Sequence, residues 1–109
     1  MSSKASSQTA EPTASDALDA LGDECARIIL VATSEMPRTA KELTDRTDSS
    51  SATVYRRIND LIESDLLEEC IRFEEDGTHT TAYEATIDCL LVRIDAEGIC
   101  VSPTKADDE

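Results

Sequence analysis

Apolar residues recur along the first third of the chain at the spacing of α-helices. Between residues 18 and 32 they lie three or four positions apart, at Leu18, Leu21, Cys25, Ile28 and Ala32. Residues at this spacing share one face of a helix. Gly22 and Asp23 interrupt the series, and Pro37 follows its end. The pattern therefore predicts a break and then a first helix over about residues 23–34.

A second, shorter helix is indicated by the residues at its start. Thr39 is followed three positions later by Glu42, which is the pattern of a capping box. In that motif the hydroxyl and the carboxylate each accept a hydrogen bond from a backbone N–H group that the helix leaves unpaired. This second helix is expected to end near Thr47.

A third helix follows a run of three serines. Ser50 is a suitable N-cap, and a helix over about residues 51–64 places Val54, Ile58, Leu61 and Ile62 on one face. If that face is turned inward, the rotation of about 100° per residue turns the opposite face to solvent. The exposed face then carries small, polar and cationic side chains: Ser51, Ala52, Tyr55, Arg56 and Asn59.

The second half of the chain has the two-residue period of strands. Ile71 and Phe73 alternate with charged neighbours ahead of Asp76-Gly77, which predicts a hairpin within residues 66–86. Two more short apolar runs surround Ala96-Glu97-Gly98 and predict a second hairpin over residues 87–102. Its register is not readable from the pattern. This hairpin either extends the sheet of the first one over the core or supplies a dimer seam.

The two ends of the chain lack such periodicity. Residues 1–15 are rich in Ser, Thr and Ala and are expected to form a flexible arm, and residues 103–109 an acidic tail. The 109 residues suffice for one small domain, here residues 16–86 followed by the second hairpin. No apolar run approaches the roughly 18 residues of a membrane span. A cytoplasmic protein without a membrane partner is expected.

The order of these elements resembles winged helix-turn-helix transcription regulators of the ArsR/MarR/TrmB-like type. The resemblance covers about residues 18–86 and rests on "RIILVATSE", "RTAKELTDRT", "SSSATVYRRINDLIES" and "LLEECIRFEEDGTHTTAYEAT". It implies an α+β fold with three helices and a β-hairpin wing, double-stranded DNA as the partner, and a homodimer on a two-fold operator. Relatives often carry glycine where this chain has Asp65, a residue type that tolerates left-handed backbone.

The resemblance makes the third helix the recognition helix, lying in the major groove. Arg56 suits guanine, Asn59 suits adenine, and Ala52 suits a thymine methyl group, while Tyr55 shares their face. Phosphates are expected at the start of this helix, at Ser50, Ser51 and Thr53. The DNA backbone is expected at Arg38, Lys41 and Arg46. The wing supplies Arg72, Thr78 and His79, but its tip is acidic, so it either uses bridging cations or stays off the duplex.

The charge distribution bears on this DNA-binding hypothesis. The formal net charge is −14, with 24 acidic residues against 10 basic ones, of which only three are lysine. This composition resembles that of proteins from salt-loving archaea, although an acidic domain from a mesophile is an alternative. Arg38 to Arg57 nevertheless holds five basic and three acidic residues, a local balance of +2. The positive charge is concentrated around the predicted recognition helix.

Other classes of function have less support in the sequence. Nucleophile-elbow, phosphate-loop and paired-carboxylate motifs are missing, so we expect neither an enzyme nor a cofactor. The four cysteines lie far apart. Metal sensors of the ArsR-like type that the chain resembles place a Cys-x-Cys in the recognition-helix region, and the corresponding stretch "TDSSSAT" holds none, so we expect no metal site of that kind. Small buried side chains are the simplest interpretation of these cysteines. Two alternatives to a DNA-binding regulator remain: a winged-helix adaptor for protein contacts, and a regulator that responds to thiol oxidation.

Overall fold

The computed structural model describes residues 14–104. Four helices come first: α1 (Ala14–Leu21), α2 (Glu24–Glu35), α3 (Ala40–Arg46) and α4 (Ser51–Glu63). Two antiparallel hairpins follow, formed by β1 (Leu67–Phe73) with β2 (His79–Ala85) and by β3 (Cys89–Asp95) with β4 (Gly98–Thr104). This α+β architecture is that of a winged helix-turn-helix domain and confirms the predicted fold class. The predicted arm covers residues 1–15; its last two residues belong to α1, which corrects that boundary, while residues 1–13 and the tail from residue 105 lie outside the described residues.

Side-chain caps start three of the helices where the sequence predicted them. The carboxylate of Asp23 accepts a hydrogen bond from the N–H of Ala26 at 2.8 Å, so α2 begins directly after the break at Gly22. The predicted capping box of α3 is present, with both of its hydrogen bonds between Thr39 and Glu42 at 3.1 Å. The segment before the break is itself a helix, α1, which the prediction of three helices did not count.

The core lies where the four helices meet the start of the wing. Its largest fully buried side chains include Ile29, Leu43, Val54, Ile58, Leu61 and Leu66. The buried face of α2 is rotated from the predicted one, because Ala26 and Ile29 are buried whereas Ile28 is half-buried. Small residues allow the helices to approach closely on that face. Thr33 is also buried there, and its hydroxyl donates to the carbonyl of Ile29 at 2.7 Å.

The last turn of α4 ends in a left-handed residue that leads into the wing. Asp65 has a φ of 62°. Its N–H donates to the carbonyl of Ile62, and the N–H of Leu66 donates to the carbonyl of Leu61, both at 3.0 Å. These two bonds form a Schellman motif, and the buried pair Leu61 and Leu66 supplies its hydrophobic contact. The expectation that Asp65 takes the left-handed conformation is confirmed.

The wing is the hairpin of β1 and β2, with Leu67 opposite Ala85 and Phe73 opposite His79. Its turn includes Gly77 at a φ of 91°, as the Asp76-Gly77 pair predicted. A single residue between α2 and α3 joins the wing sheet. Arg38 and Tyr83 exchange two backbone hydrogen bonds, at 3.0 Å and 2.8 Å. This bridge attaches the wing to the helices.

The second hairpin forms a two-stranded sheet of its own. The alternative in which it extends the wing sheet is therefore wrong. Strand β4 continues through Pro103 to Thr104, beyond the predicted hairpin end at residue 102. Proline is tolerated there because an edge strand has N–H groups that need no partner strand. The base of the hairpin contacts the helices through Leu90, which packs against the core, and through β4, which packs against α1.

Candidate nucleic-acid interface

Helix α4 presents one apolar and one polar face. Val54, Ile58 and Leu61 are 0%, 1% and 0% exposed, so the aliphatic face is completely buried. The opposite face is open to solvent and carries Ser51, Ala52, Tyr55, Arg56 and Asn59. The structure thus brings these predicted site residues together on one exposed helix face, in the orientation that the sequence predicted.

The N-terminus of α4 is also exposed. Ser50 caps it, since its hydroxyl oxygen accepts a hydrogen bond from the N–H of Thr53 at 3.2 Å. The hydroxyl of Ser50 in turn donates to that of Thr53, also at 3.2 Å. The N–H groups of the first helical residues, Ser51 and Ala52, lie in the turn where an α-helix supplies no acceptor. Together with the helix dipole they make this end suitable for a phosphate oxygen.

A four-residue turn, 47–50, connects α3 to α4. Thr47 organises it, because its N–H donates to the carbonyl of Thr44 and its side-chain oxygen accepts the N–H of Ser49, both at 3.2 Å. Leu43 on α3 is 0% exposed and anchors the short helix in the same core as α4. The two helices are therefore held as one helix-turn-helix unit.

Arg57 does not belong to the exposed face. Its Nε lies 3.0 Å from Asp23 Oδ2 and its Nη1 lies 3.4 Å from Asp60 Oδ2. The pair with Asp23 is electrostatic rather than a directed hydrogen bond, because the Nε–H does not point at the carboxylate. A backbone hydrogen bond from Ala26 and this cation lower the pKa of Asp23. The side chain of Arg57 thus fastens α4 to the start of α2.

Arg38 was predicted to contact the DNA backbone, and the structure shows its side chain engaged within the protein. Its side chain is only 14% exposed. Nε donates to the carbonyl of Ala32 at 3.1 Å, and Nη2 donates to Glu35 Oε1 at 2.7 Å. Both acceptors lie in the last turn of α2, where a cation satisfies carbonyl groups that the helix leaves unpaired. Arg38 therefore closes α2 and has little charge to offer a phosphate.

The other two predicted backbone contacts are exposed. The side chain of Lys41 is 85% exposed, and its ion pair with Asp45 is long, at 3.7 Å. Such a surface pair contributes little and is easily exchanged. Arg46 is exposed at the end of α3 and borders a groove beside Ile28 and Val31 of α2. Among residues 14–104, neither Arg46 nor Arg56 forms an ion pair, so both cations are available to a ligand.

Arg72, predicted as a wing contact, instead joins the wing to α3. Its two terminal nitrogens donate to the two carboxylate oxygens of Glu42, at 2.9 Å and 2.8 Å. Nη1 also donates to the carbonyl of Pro37 at 3.1 Å, and Nε donates to Glu74 at 2.9 Å. The hydrogen bonds from Arg72 are the main reason that the pKa of Glu42 falls to about 2. The guanidinium of Arg72 is therefore occupied by partners within the protein.

The remaining wing candidates lie at the acidic tip. Thr78 donates through its N–H and its hydroxyl to Asp76 Oδ1, at 3.0 Å and 2.7 Å. The ring of His79 meets that of Phe73 edge to face, with 4.5 Å between centroids. Both residues are exposed, but Glu75 and Asp76 lie beside them in the turn. The tip therefore offers a phosphate two carboxylates and no Lys or Arg.

Tyr55 on α4 interacts electrostatically with Tyr83 on the wing. Burial raises the pKa of Tyr83 on β2, and Glu69 and Tyr55 add to that effect. Tyr55 itself is 51% exposed. Its phenol is therefore close enough to the wing to affect Tyr83 and still open to a ligand that lies along α4.

The cysteines depart from their expected burial. Cys25 is buried and Cys70 is half-buried, but Cys89 and Cys100 on the second hairpin are exposed free thiols. Burial, followed by Glu84, raises the pKa of Cys70. Within the described range no three His, Cys, Asp or Glu side chains are grouped to hold a metal ion. The thiol-oxidation alternative therefore has two accessible candidates.

A family model described as a helix-turn-helix domain matches residues 9–70, which is more than half of the chain. The protein belongs to this helix-turn-helix domain family. The match spans the helices and most of β1, and so includes the whole exposed face of α4. Membership of the helix-turn-helix family indicates a DNA-binding regulator of transcription in general.

Two further findings accompany this assignment. No curated protein matches the chain, so the helix-turn-helix family is the level at which comparison supports a function. Within residues 14–104, every helix is too short or too polar to cross a lipid bilayer.

Proposed function

We propose that the protein is a sequence-specific regulator of transcription of the ArsR-like winged type, and that α4 reads double-stranded DNA in the major groove. The observation that carries this proposal is the exposed face of α4, where Arg56 and Asn59 stand opposite a completely buried aliphatic face. A helix of 13 residues anchored in this way can enter the groove without loss of core contacts. The proposal gives the protein no catalytic role.

Most of the exposed groups on this face have a suitable DNA partner. Arg56 can donate two hydrogen bonds to O6 and N7 of guanine, and Asn59 can pair with N6 and N7 of adenine. Ala52 is small enough to contact a thymine methyl group. Ser50, Thr53 and the first N–H groups of α4 suit a phosphate, and Lys41 and Arg46 supply charge for the backbone on either side. Arg38 and Arg72 have no part in this proposal, because carboxylates and carbonyls occupy them.

We further propose that two copies bind a two-fold operator. One α4 reads only a few base pairs, and a second copy one helical turn away doubles the contacted sequence. The acidic surface suits a protein that works in concentrated salt, as in salt-loving archaea. Free Arg46 and Arg56 then form a limited cationic area on a chain of net charge −14.

The experiment begins with selection of duplexes from a random-sequence pool by the purified protein. Arg56→Ala combined with Asn59→Ala is then titrated against the selected site. Each bidentate base contact is worth about 1–3 kcal/mol, so the double variant is expected to lose roughly 30-fold or more in affinity. Arg93→Ala, which removes an exposed arginine from the distant hairpin, is the matched control and keeps wild-type affinity. Equal affinity of all three proteins would refute the proposal.

The acidic wing tip favours a second candidate, a winged-helix adaptor that contacts protein instead of DNA. Glu74, Glu75 and Asp76 precede the turn at Gly77, where a DNA-gripping wing needs cations. An adaptor selects no sequence from the random pool. Binding of an adaptor to its protein partner is also unchanged by the double variant at Arg56 and Asn59, whereas charge reversal at Glu75 and Asp76 weakens that binding. These outcomes separate the two candidates.

A further inference from the structure

The second hairpin has one face that is entirely apolar. Residues paired across two antiparallel strands point to the same side of the sheet. Leu90 pairs with Pro103, Val92 with Val101 and Ile94 with Ile99, so these six side chains share one face. The opposite face carries mixed side chains: Cys89, Leu91, Arg93, Asp95, Cys100, Ser102 and Thr104.

This apolar face begins on the helical body and extends beyond it. Leu90 and Val101 at the base are half-buried, and Leu90 packs against the core. Toward the turn the helices no longer cover this face, since Val92, Ile99 and Ile94 are 44%, 49% and 72% exposed. Within residues 14–104 the sheet has no third strand. An isolated two-stranded hairpin is marginally stable in water, so this one is expected to need a further surface to pack against.

We propose that this apolar face is the surface through which two copies of the chain associate. The six side chains lack formal charge, and the charged residues of the two strands, Arg93 and Asp95, lie on the opposite face. Two copies that each carry −14 would repel each other where carboxylates meet. The neutral face escapes that repulsion. It is also self-complementary, as a two-fold contact requires, because the same apolar patch meets itself.

The size of the face sets the strength of the contact. Seven residues per strand, at about 3.3 Å per residue and about 4.8 Å between strands, make a face of roughly 23 by 10 Å. Because the base of the face already packs on the helical body, stacking two copies buries at most a few hundred Å² per copy. This is below the roughly 800 Å² per partner of a standard stable interface. The free dimer is therefore expected to be weak. The two half-sites of an operator then raise the effective concentration of the second copy and complete the association.

Sedimentation velocity on the full chain tests this surface, at about 5 to 200 μM protein and in both dilute and roughly 2 M KCl. Wild type is expected to shift toward the mass of a dimer with concentration, and more so at high salt, where repulsion is screened. Ile94→Glu is expected to stay monomeric. Leu91→Glu places the same charge on the opposite face of the same strand, at a leucine that is 54% exposed, and is expected to dimerise like wild type.

A neutral variant, Ile94→Ser, repeats the test if the glutamate variant loses its helical circular dichroism. A wild type that stays monomeric throughout overturns the inference, as does equal dissociation of the Leu91 and Ile94 variants. The inference extends the proposed function, so DNA provides a separate measurement. Ile94→Glu should bind a single selected half-site like wild type and lose affinity only on the two-site duplex. If wild type binds no DNA, the proposed function fails while the sedimentation result still decides the dimer surface.

Discussion

The guanidinium of Arg72 on β1 holds both carboxylate oxygens of Glu42 on α3, at 2.9 Å and 2.8 Å. The same carboxylate accepts the N–H of Thr39 and so caps α3. One acidic side chain therefore serves two purposes, because it starts the first helix of the helix-turn-helix unit and receives the wing. This contact fixes the wing relative to α3, and α3 and the core fix α4.

Arg72→Ala is expected to lower the free energy of unfolding by about 1–3 kcal/mol, since charge-assisted bidentate pairs exceed ordinary surface pairs. Urea denaturation followed by circular dichroism measures the change. Arg93→Ala is the control, because this exposed arginine has no ion pair in the described part of the chain, and it should stay within about 0.5 kcal/mol of wild type. Equal stability of the two variants would show that the link between wing and α3 contributes nothing.

The same pair makes stability depend on pH. The pKa of Glu42 lies near 2 in the folded protein, against an ordinary value of 4.5. A lowered folded-state pKa means that the contribution is complete above pH 4.5 and is lost as the pH falls toward 2. The gap in stability between wild type and Glu42→Gln should therefore narrow over that range. Denaturation curves at several pH values measure it, and a constant gap would contradict this account.

Asp65 provides a test of backbone strain. Left-handed backbone costs an ordinary L-residue about 1–2 kcal/mol. Asp65 has a φ of 62°, a conformation that glycine adopts without this cost. Asp65→Gly is therefore expected to raise the free energy of unfolding by up to about 1 kcal/mol, and Asp65→Val to lower it by a similar amount or more. Urea midpoints report both changes. A valine variant as stable as the glycine variant would show that the end of α4 is not strained.

The sequence was sufficient to predict features that depend on local chemistry. The capping box at Thr39 and the cap at Ser50 follow from neighbouring residues, and the left-handed turn at Asp65 followed from the resemblance, since relatives often carry glycine there. The orientation of α4 followed from its periodicity, because three large aliphatic residues mark one side. In α2 the phase was less clear, since small Ala and Thr side chains share the buried face with Ile29, whereas Ile28 and Val31 remain partly or largely exposed.

Contacts between distant segments could not be predicted in this way. Arg38 was assigned to the DNA backbone as a basic residue near the predicted recognition helix, and Arg72 was a candidate contact as a residue of the predicted wing. Their actual partners, Glu35 and Glu42 among them, are selected by the packing of α2, α3 and β1. The apolar face of the second hairpin was likewise hidden, because its three cross-strand pairs appear only when the register is known.

Salt dependence follows from the proposed interface. A DNA-binding protein normally releases counterions from the duplex and loses affinity as salt rises. Here the chain carries many carboxylates and few unpaired basic side chains. Potassium ions must therefore be taken up where the acidic surface approaches phosphate. Affinity for the selected site is expected to stay level or increase between about 0.5 and 3 M KCl. Fluorescence anisotropy measures this, and a steep decline would contradict the uptake of cations.

The most direct test of the central claim replaces single guanines of the selected site with 7-deazaguanine, which lacks the N7 acceptor. Wild type and Arg56→Ala are titrated against each modified duplex by fluorescence anisotropy. If Arg56 contacts a guanine, replacement of that guanine lowers the affinity of wild type but lowers the affinity of Arg56→Ala little further. The difference between these two losses in binding free energy, the coupling energy, is expected to be about 1–3 kcal/mol. If the loss of affinity from Arg56→Ala and the loss from the modified base simply add at every guanine, α4 does not read the major groove through Arg56.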